Sequence, residues 1–338
     1  MVDEPKKEEP LVRPDADAAI DALAWAAATA ERDRPPERPD ARAARGAPEP
    51  TRIGIPPTYP TQHDFALALE KDATKVRGYL DRVVMGRDPE AGLDALLEVR
   101  ALAFLFPEVE AMVGFGDGEW RHKDVWKHTK QVVRQAVPRI EVRWASLFHD
   151  IGKVKTRSIT PDGKVHFFGH AEVGARMFDK LDRRVALFGS EPSLKSAVRF
   201  LVLHHLRANQ YDPSWTDSAV RRFARELADH LDDLLCLARA DITTKRPEKK
   251  KKGLAQISEL AERIRTLAEA DAVVPPLPSG IGDVIMKAFA LPPSRLIGDI
   301  KRALEEAVES GELPSHEPAD FYVEAIRANP ARFKLPTS

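Results

Sequence analysis

From residue 61 onward the apolar positions recur at the three- and four-residue spacing of amphipathic helices. Phe65, Leu67, Leu69, Val76, Leu80 and Val83 predict a helix or two, and Leu93, Leu96, Leu97, Val99, Leu102 and Leu105 form a second group that stops before Pro107. Asp124 is placed to open a helix running to Pro138. The next helix carries Trp144, Leu147, Phe148 and Ile151 at i, i+3, i+4 and i+7, one continuous face. Thr160-Pro161-Asp162-Gly163 reads as a turn and residues 165–168 as a short extended piece, ahead of a helix over 170–187. Further helices are expected over 193–206, over 219–227 behind the N-cap sequence Thr216-Asp217-Ser218, and over 229–240. No sheet pattern or internal repeat stands out, so the expected fold is mainly α.

Residues 1–60 break this pattern. They hold eleven prolines, many alanines and mixed charge, with few large apolar side chains. Such a segment buries too little surface to offset its ordering entropy and is expected to be disordered, apart from a short helix over 15–30 ended by Pro35-Pro36. The 338-residue chain as a whole is 43% hydrophobic, enough for a substantial core in most of it. Lys and Arg number 52 against 53 Asp and Glu, so net charge alone names no partner. No apolar run approaches the roughly 20 residues a membrane span needs. The lone Cys236 sits in an apolar run and reads as core packing. Together with the acidic, proline-bearing start, these features point to a cytoplasmic protein.

The chemistry concentrates in one region. Seven of the ten histidines fall between His122 and His205, with the dipeptide His149-Asp150 among them and Asp241 downstream. His128, His149, Asp150 and Asp241 lie on separate apolar helices, where an unpaired carboxylate is costly to bury. A divalent metal held by antiparallel helices removes that cost. Imidazole and carboxylate ligands suit Mn, Mg, Ni, Co or Fe, with Zn also chemically compatible, and the lack of cysteine ligands argues against a structural zinc site. His170 and the pair His204-His205 could hold a second ion or meet a substrate phosphate. Lys153, one helical turn beyond His149, and more weakly Arg157, could offset phosphate charge. A lone histidine on an apolar face is usually a hydrogen-bonded core residue; the ordered set over more than a hundred residues is what points to metal. His122 and His166 read as bystanders in loops.

The segments HKDVWKHT, LFHDIGK, KVHFFGHAEVGA, DSAVRRF and LLCLARAD resemble the HD superfamily of metal-dependent phosphohydrolases. More closely, they resemble the body of bacterial tRNA nucleotidyltransferases (CCA-adding enzymes) and the related poly(A) polymerases. The likeness runs over residues 62–330, through GLDALLEVRALAFLFPEVEAM upstream and ADITTKRPEKKKKG and IGDVIMKAFALPPSRLIGDIKRALEEAVESGELP downstream. It implies an HD helical bundle over 121–245, a helical neck over 61–120, and a basic loop with a helical arm over 246–338. The implied activity is phosphatase, 2′,3′-cyclic phosphodiesterase or 2′-phosphatase, a metal-activated water attacking a phosphoester on an RNA end or nucleotide. Asp150 and Lys153 are the implied catalytic groups, with one or two metal ions. The nucleotidyltransferase head of that family, with its Gly-Gly loop and Asp-x-Asp pair, has no counterpart here. Asp15-Ala16-Asp17 has the spacing but no preceding Gly-Gly and no strand pattern. The chain therefore reads as a headless relative, from which CCA addition alone is not expected. The rival reading is an accessory RNA-binding module that partners a separately encoded head.

One local charge excess remains. Lys245, Arg246 and the run Lys249, Lys250, Lys251 and Lys252 begin four residues beyond Asp241, and Lys245, Arg246, Lys249 and Lys250 are candidates for RNA-phosphate contact. Arg221 and Arg222 are candidates of the same kind. A charge run is more often a solvated loop, and no aromatic residues interleave with this one, so base stacking by it is not indicated. Gly114-Phe115-Gly116-Asp117-Gly118 lacks the Lys-Ser or Lys-Thr of a phosphate-binding loop and reads as a flexible connection.

Overall fold

In the computed structural model the described residues are 15–31, 60–116, 124–272 and 275–336. They divide into two compact units, one ending at Ile264 and the other starting at Arg265. The secondary structure is mainly α-helical, with a single two-stranded sheet among the described residues. No helix among them is long and apolar enough to cross a membrane.

The first unit begins with α1 (Ala16–Glu31), followed by α2 (Gln62–Met85) and α3 (Pro89–Glu98). Thr61 opens α2 through a capping box with Asp64, whose carboxylate also accepts the Asp15 N–H. One buried carboxylate thus ties the starts of both helices together. The short helix expected over 15–30 is present, and it is a core element: Ala19, Ala22, Leu23, Ala26 and Ala27 are fully buried against α2 and α3. Asp15-Ala16-Asp17 lies at its start, with Asp15 accepting the Asp17 N–H as a cap would. Small residues make the close approach feasible. A Cβ at Gly86 would stand 2.6 Å from the Ala30 carbonyl oxygen, and one at Gly92 would stand 2.5 Å from the Ala30 Cβ. The disorder expected for residues 1–14 and 32–59 lies outside the described residues, as do His122 and the second half of the glycine-rich connection.

Two short helices, α4 (Ala101–Leu105) and α5 (Pro107–Glu110), lead to α6 (Val125–Gln135), which Asp124 caps as the sequence predicts. The next helix, α7 (Ile140–Phe148), is the centre of the unit: every residue from Val142 to Phe148 is buried. A helix buried on all sides must be surrounded, and α7 packs against α2, α6 and two later helices, α10 (Pro192–His204) and α12 (Leu231–Asp241), with its Arg143 and Ser146 bonded to backbone carbonyls. Its Trp144 stacks on Phe148, meets Phe106 and Phe188 edge-on, and donates its indole N–H to Asp81 at 2.7 Å. The chain leaves α7 at His149-Asp150, passes through α8 (Lys153–Thr156), and forms a hairpin before α9 (His170–Val185).

That hairpin departs from the sequence reading, which found the turn but no sheet. β1 (Ser158–Ile159) pairs antiparallel with β2 (Val165–His166), Ser158 opposite His166, and Gly163 closes the turn at φ 79° with its N–H on Thr160 O. Two-residue strands are too short to show alternation, which is why β1 leaves no trace in the pattern. After α10 come α11 (Asp217–Leu227), capped by Thr216, and then α12. The second correction concerns the basic run. Lys249 to Lys252 lie in the first turns of α13 (Pro247–Ala272), a helix rather than a loop, and are exposed. The second unit comprises the end of α13, α14 (Ile281–Ala288), α15 (Arg295–Glu309) and α16 (Ala319–Ala328). Its own core is built on Ile281, Ile285, Ile300, Leu304, Tyr322 and Ile326.

Candidate metal centre

Four helix termini and one mid-helix position deliver the polar cluster. His128 comes from the second turn of α6, His149 and Asp150 from the end of α7, His170 from the start of α9, His205 from the end of α10 and Asp241 from the last residue of α12. Two groups result: His128, His149 and Asp241, and Asp150, His170 and His205, each with ligand atoms within 4.8 Å of one another. Asp150 faces both. Its Oδ2 lies 3.4 Å from His128 Nε2 and 3.3 Å from His149 Nε2, while its Oδ1 lies 3.6 Å from His170 Nε2. His128 Nε2 is also 3.0 Å from Asp241 Oδ1 and 3.3 Å from His149 Nε2.

The orientation of the rings shows what the cluster lacks. His149 Nδ1 is 2.7 Å from the Ser146 carbonyl, His170 Nδ1 2.8 Å from that of Phe167, and His205 Nδ1 2.7 Å from that of Val202. A carbonyl oxygen only accepts, so each Nδ1 carries a proton, and wherever the ring is neutral its Nε2 turns a bare lone pair inward. His170 and His205 then set two Nε2 atoms 3.1 Å apart. Burial lowers the pKa of both, outweighing the pull of Asp150, and takes His205 to about 4, so both rings are neutral at pH 7. Beside them the buried Asp150 Oδ1 has no hydrogen-bond donor. Three acceptors thus face one another with no proton between them, an arrangement that repels itself unless a cation is shared.

The other ionisations point the same way. Burial raises the carboxyl pKa of Asp150, but His149 and Lys153 more than compensate and hold it well below the usual range. Asp241 is also disfavoured by burial, yet the His128 hydrogen bond and the His149 charge bring it to about 2. Burial works against charge on His149, but the neighbouring Asp150 prevails and raises its pKa. The carboxylates therefore stay ionised and favour positive charge among the imidazoles. A divalent ion fits this donor set: His128, His149, Asp150 and Asp241 on one side, and Asp150, His170 and His205 on the other.

Lys153 reaches the centre, its ammonium 2.6 Å from Asp150 Oδ2 and 5.7 Å from the centroid of the Phe167 ring. His204 points away from both groups, its ring 4.4 Å from that of Phe200. Adjacent helical residues stand about 100° apart, so His204 and His205 cannot face the same point. Arg157 lies over Phe115, and His166 stacks on Phe168. Lys245, Arg246, Lys249 and Lys250 are exposed; Arg222 is exposed near Glu226, and Arg221 is half-buried.

Three positioning residues escaped the sequence reading. Thr243, buried, puts its Oγ1 2.8 Å from His128 Nδ1. Gln135 donates to the Ala240 carbonyl at 2.7 Å and so holds the end of α12 beside α6. Gly152 allows the α8 entry to touch the His170 backbone, where a Cβ would meet the carbonyl oxygen at 2.0 Å. Only Gly152 left a readable signal, as the glycine of LFHDIGK.

The family model for the HD domain matches residues 125–246, the stretch that holds every residue of the centre. Among curated proteins the chain is similar to the A-adding tRNA nucleotidyltransferase of Deinococcus radiodurans, 30% identical over 258 residues, 74% of this chain and 57% of that protein. It is also similar to the CC-adding tRNA nucleotidyltransferase of Thermus thermophilus, 29% identical over 289 residues, 82% of this chain and 62% of the relative. A shorter stretch, 116 residues at 32% identity, matches the multifunctional CCA protein of Mannheimia succiniciproducens, covering 31% and 27% of the two chains. The chain thus spans less than two thirds of the length of each of these relatives.

Proposed function

We propose that this protein is a metal-dependent phosphohydrolase that cleaves a phosphoester at an RNA end or on a nucleotide. The observation that carries the reading is the set of inward lone pairs around the donorless Asp150 Oδ1, which a shared cation would satisfy. A bound divalent metal supplies a Lewis acid and an acidified water. His128, His149, Asp150 and Asp241 hold the first ion, and His170 and His205, with Asp150 between, hold a second or receive a phosphoryl oxygen. Mn, Mg, Ni, Co and Fe all suit these ligands. His204, facing Phe200, has no part in either group. Lys153 holds a positive charge at the rim, where it can offset charge on a phosphoryl oxygen.

The relatives named for acting on tRNA support an RNA substrate for the HD core of residues 121–245. So do the exposed cations at the start of the 246–338 arm. Four lysines in the first turns of α13 stand at the positive end of its dipole, where cations destabilise a helix, and an RNA backbone would offset that cost. Lys245, Arg246, Lys249 and Lys250, with Arg221 and Arg222, are the proposed contacts.

The test combines elemental analysis of the purified protein with hydrolysis of 2′,3′-cyclic AMP and of RNA ending in a cyclic phosphate, for wild type and Asp150→Ala. Metal-dependent turnover that vanishes in the variant supports the proposal. Full activity in Asp150→Ala removes it. Bound metal, salt-sensitive RNA binding and no turnover of any phosphoester would favour an accessory RNA-binding module.

A further inference from the structure

The hairpin that connects Asp150 to His170 carries an aromatic feature that the proposed metal chemistry does not use. Phe168 is 73% exposed. Its ring, in the turn just beyond β2, stacks on that of His166 at the strand end, 4.9 Å between centroids and 7° from parallel. A single exposed phenylalanine is common. This one is braced flat by a second ring, and with most of the residue exposed the face away from His166 is open.

Its position links it to the centre. Phe168 is separated from His170 by Gly169 alone, so their Cα atoms are within about 7.6 Å of each other. The preceding Phe167 offers its carbonyl to His170 Nδ1 and its ring to the Lys153 ammonium. The connection also bears the exposed cations Lys155 and Arg157. A flat, open aromatic surface one nucleotide's reach from a phosphoester site, bordered by positive charge, matches a nucleobase followed by its phosphate. A peptide side chain would make no use of that charge pattern.

We infer that Phe168, braced by His166, is a stacking platform for the base of the nucleotide whose phosphate enters the metal centre. This rests on the phosphoester reading for its choice of ligand. The platform tolerates any base, since every base offers a π-face, and it favours aromatic nucleotide esters over simple alkyl ones. Phe168 is a positioning residue; it takes no part in bond breaking.

The experiment uses the full chain and a short RNA whose 3′-terminal base is 2-aminopurine, a fluorophore quenched by stacking. Saturating wild-type protein quenches it. Phe168→Ala removes the quench and weakens binding roughly tenfold or more, the usual loss on deleting a base-stacking ring. Phe168→Tyr retains both. A quench unchanged in Phe168→Ala, or none with wild type, overturns the platform. Hydrolysis assayed in parallel separates the two ideas: quenching without turnover retires the hydrolase and keeps the platform, and turnover without quenching does the reverse. Because Phe168 is exposed, loss of fold does not confound the variant, and an unchanged unfolding curve verifies this.

Discussion

Two glycines, Gly152 and Gly174, meet where the α8 entry packs on the first turns of α9, and they differ in how much room each has. Gly152 has φ −66° and ψ −22°, ordinary helical values that alanine adopts readily. Its constraint is space. A Cβ would stand 2.0 Å from the His170 carbonyl oxygen, 2.9 Å from the carbonyl carbon and 2.7 Å from Gly174 N, all backbone atoms that no rotamer change can move. Bringing the shortest of these to even a tight contact near 3.0 Å requires a shift of about 1 Å between the α8 entry and the start of α9. Metal–ligand distances tolerate only about ±0.2 Å. Asp150 is two residues from Gly152 and His170 is the residue struck, so the shift falls directly between proposed ligands. Gly152→Ala should cost about 3 kcal/mol of stability, the upper part of the overpacking range, and lower metal affinity by about 100-fold. Gly174→Ala is the control: its Cβ would meet Gly152 N and Val202 Cγ1 at 3.5 Å, ordinary contacts inside a helix. That variant should bind metal normally and be as stable as wild type or slightly more so. Elemental analysis, calorimetric metal titration and urea unfolding of both proteins check the pair. Gly152→Ala with wild-type metal affinity would refute the reasoning, as would equal losses in both.

Thr243→Val removes the partner of His128 Nδ1 while keeping its volume and should reduce metal affinity about 10- to 100-fold with little change in unfolding midpoint, read by metal titration. Asp64→Asn tests the joint between α1 and α2. Burial raises the Asp64 carboxyl pKa, but the Thr61 and Asp15 N–H groups overcome this and leave it below its ordinary 3.8. The folded-state pKa is depressed, so the stabilisation is full above about pH 4 and is lost as pH falls through the folded-state value. The variant should be about 1–2 kcal/mol less stable at pH 6, with the gap narrowing by pH 3; a constant gap in urea unfolding would refute the charge argument. Trp144→Ala, which empties the aromatic stack at the centre of α7, should cost about 3–5 kcal/mol by the same measurement.

The order of histidines and aspartates was legible in the sequence because carboxylates on apolar helices need a reason. The helix spacing that located α6, α7, α9 and α10 was enough to bring their ends together in outline. What the pattern could not decide was rotation and close approach. It offered His204 and His205 equally, and only the turn of α10 sends one to Asp150 and the other to Phe200. It marked α1 as a short helix in a disordered stretch because alanines carry little hydrophobic signal. Burial of α1 depends on Gly86 and Gly92, far along the chain.

The ring orientations divide along the same line. His149 and His205 end their helices, where the last carbonyls lack an intrahelical partner, so each ring bonds to the carbonyl three residues earlier. His170 reaches back by the same interval from the start of α9. These three orient themselves from local chain geometry alone. His128 sits inside α6, where the preceding carbonyls are occupied by the helix, so its Nδ1 needs a partner from outside, and Thr243, 115 residues away, provides it. The ring orientations of the terminal histidines should therefore withstand substitutions remote in sequence, whereas that of His128 depends on the segment beyond Asp241. A proposed ligand inside a helix makes the centre sensitive to tertiary structure, and that sensitivity does not appear in any motif.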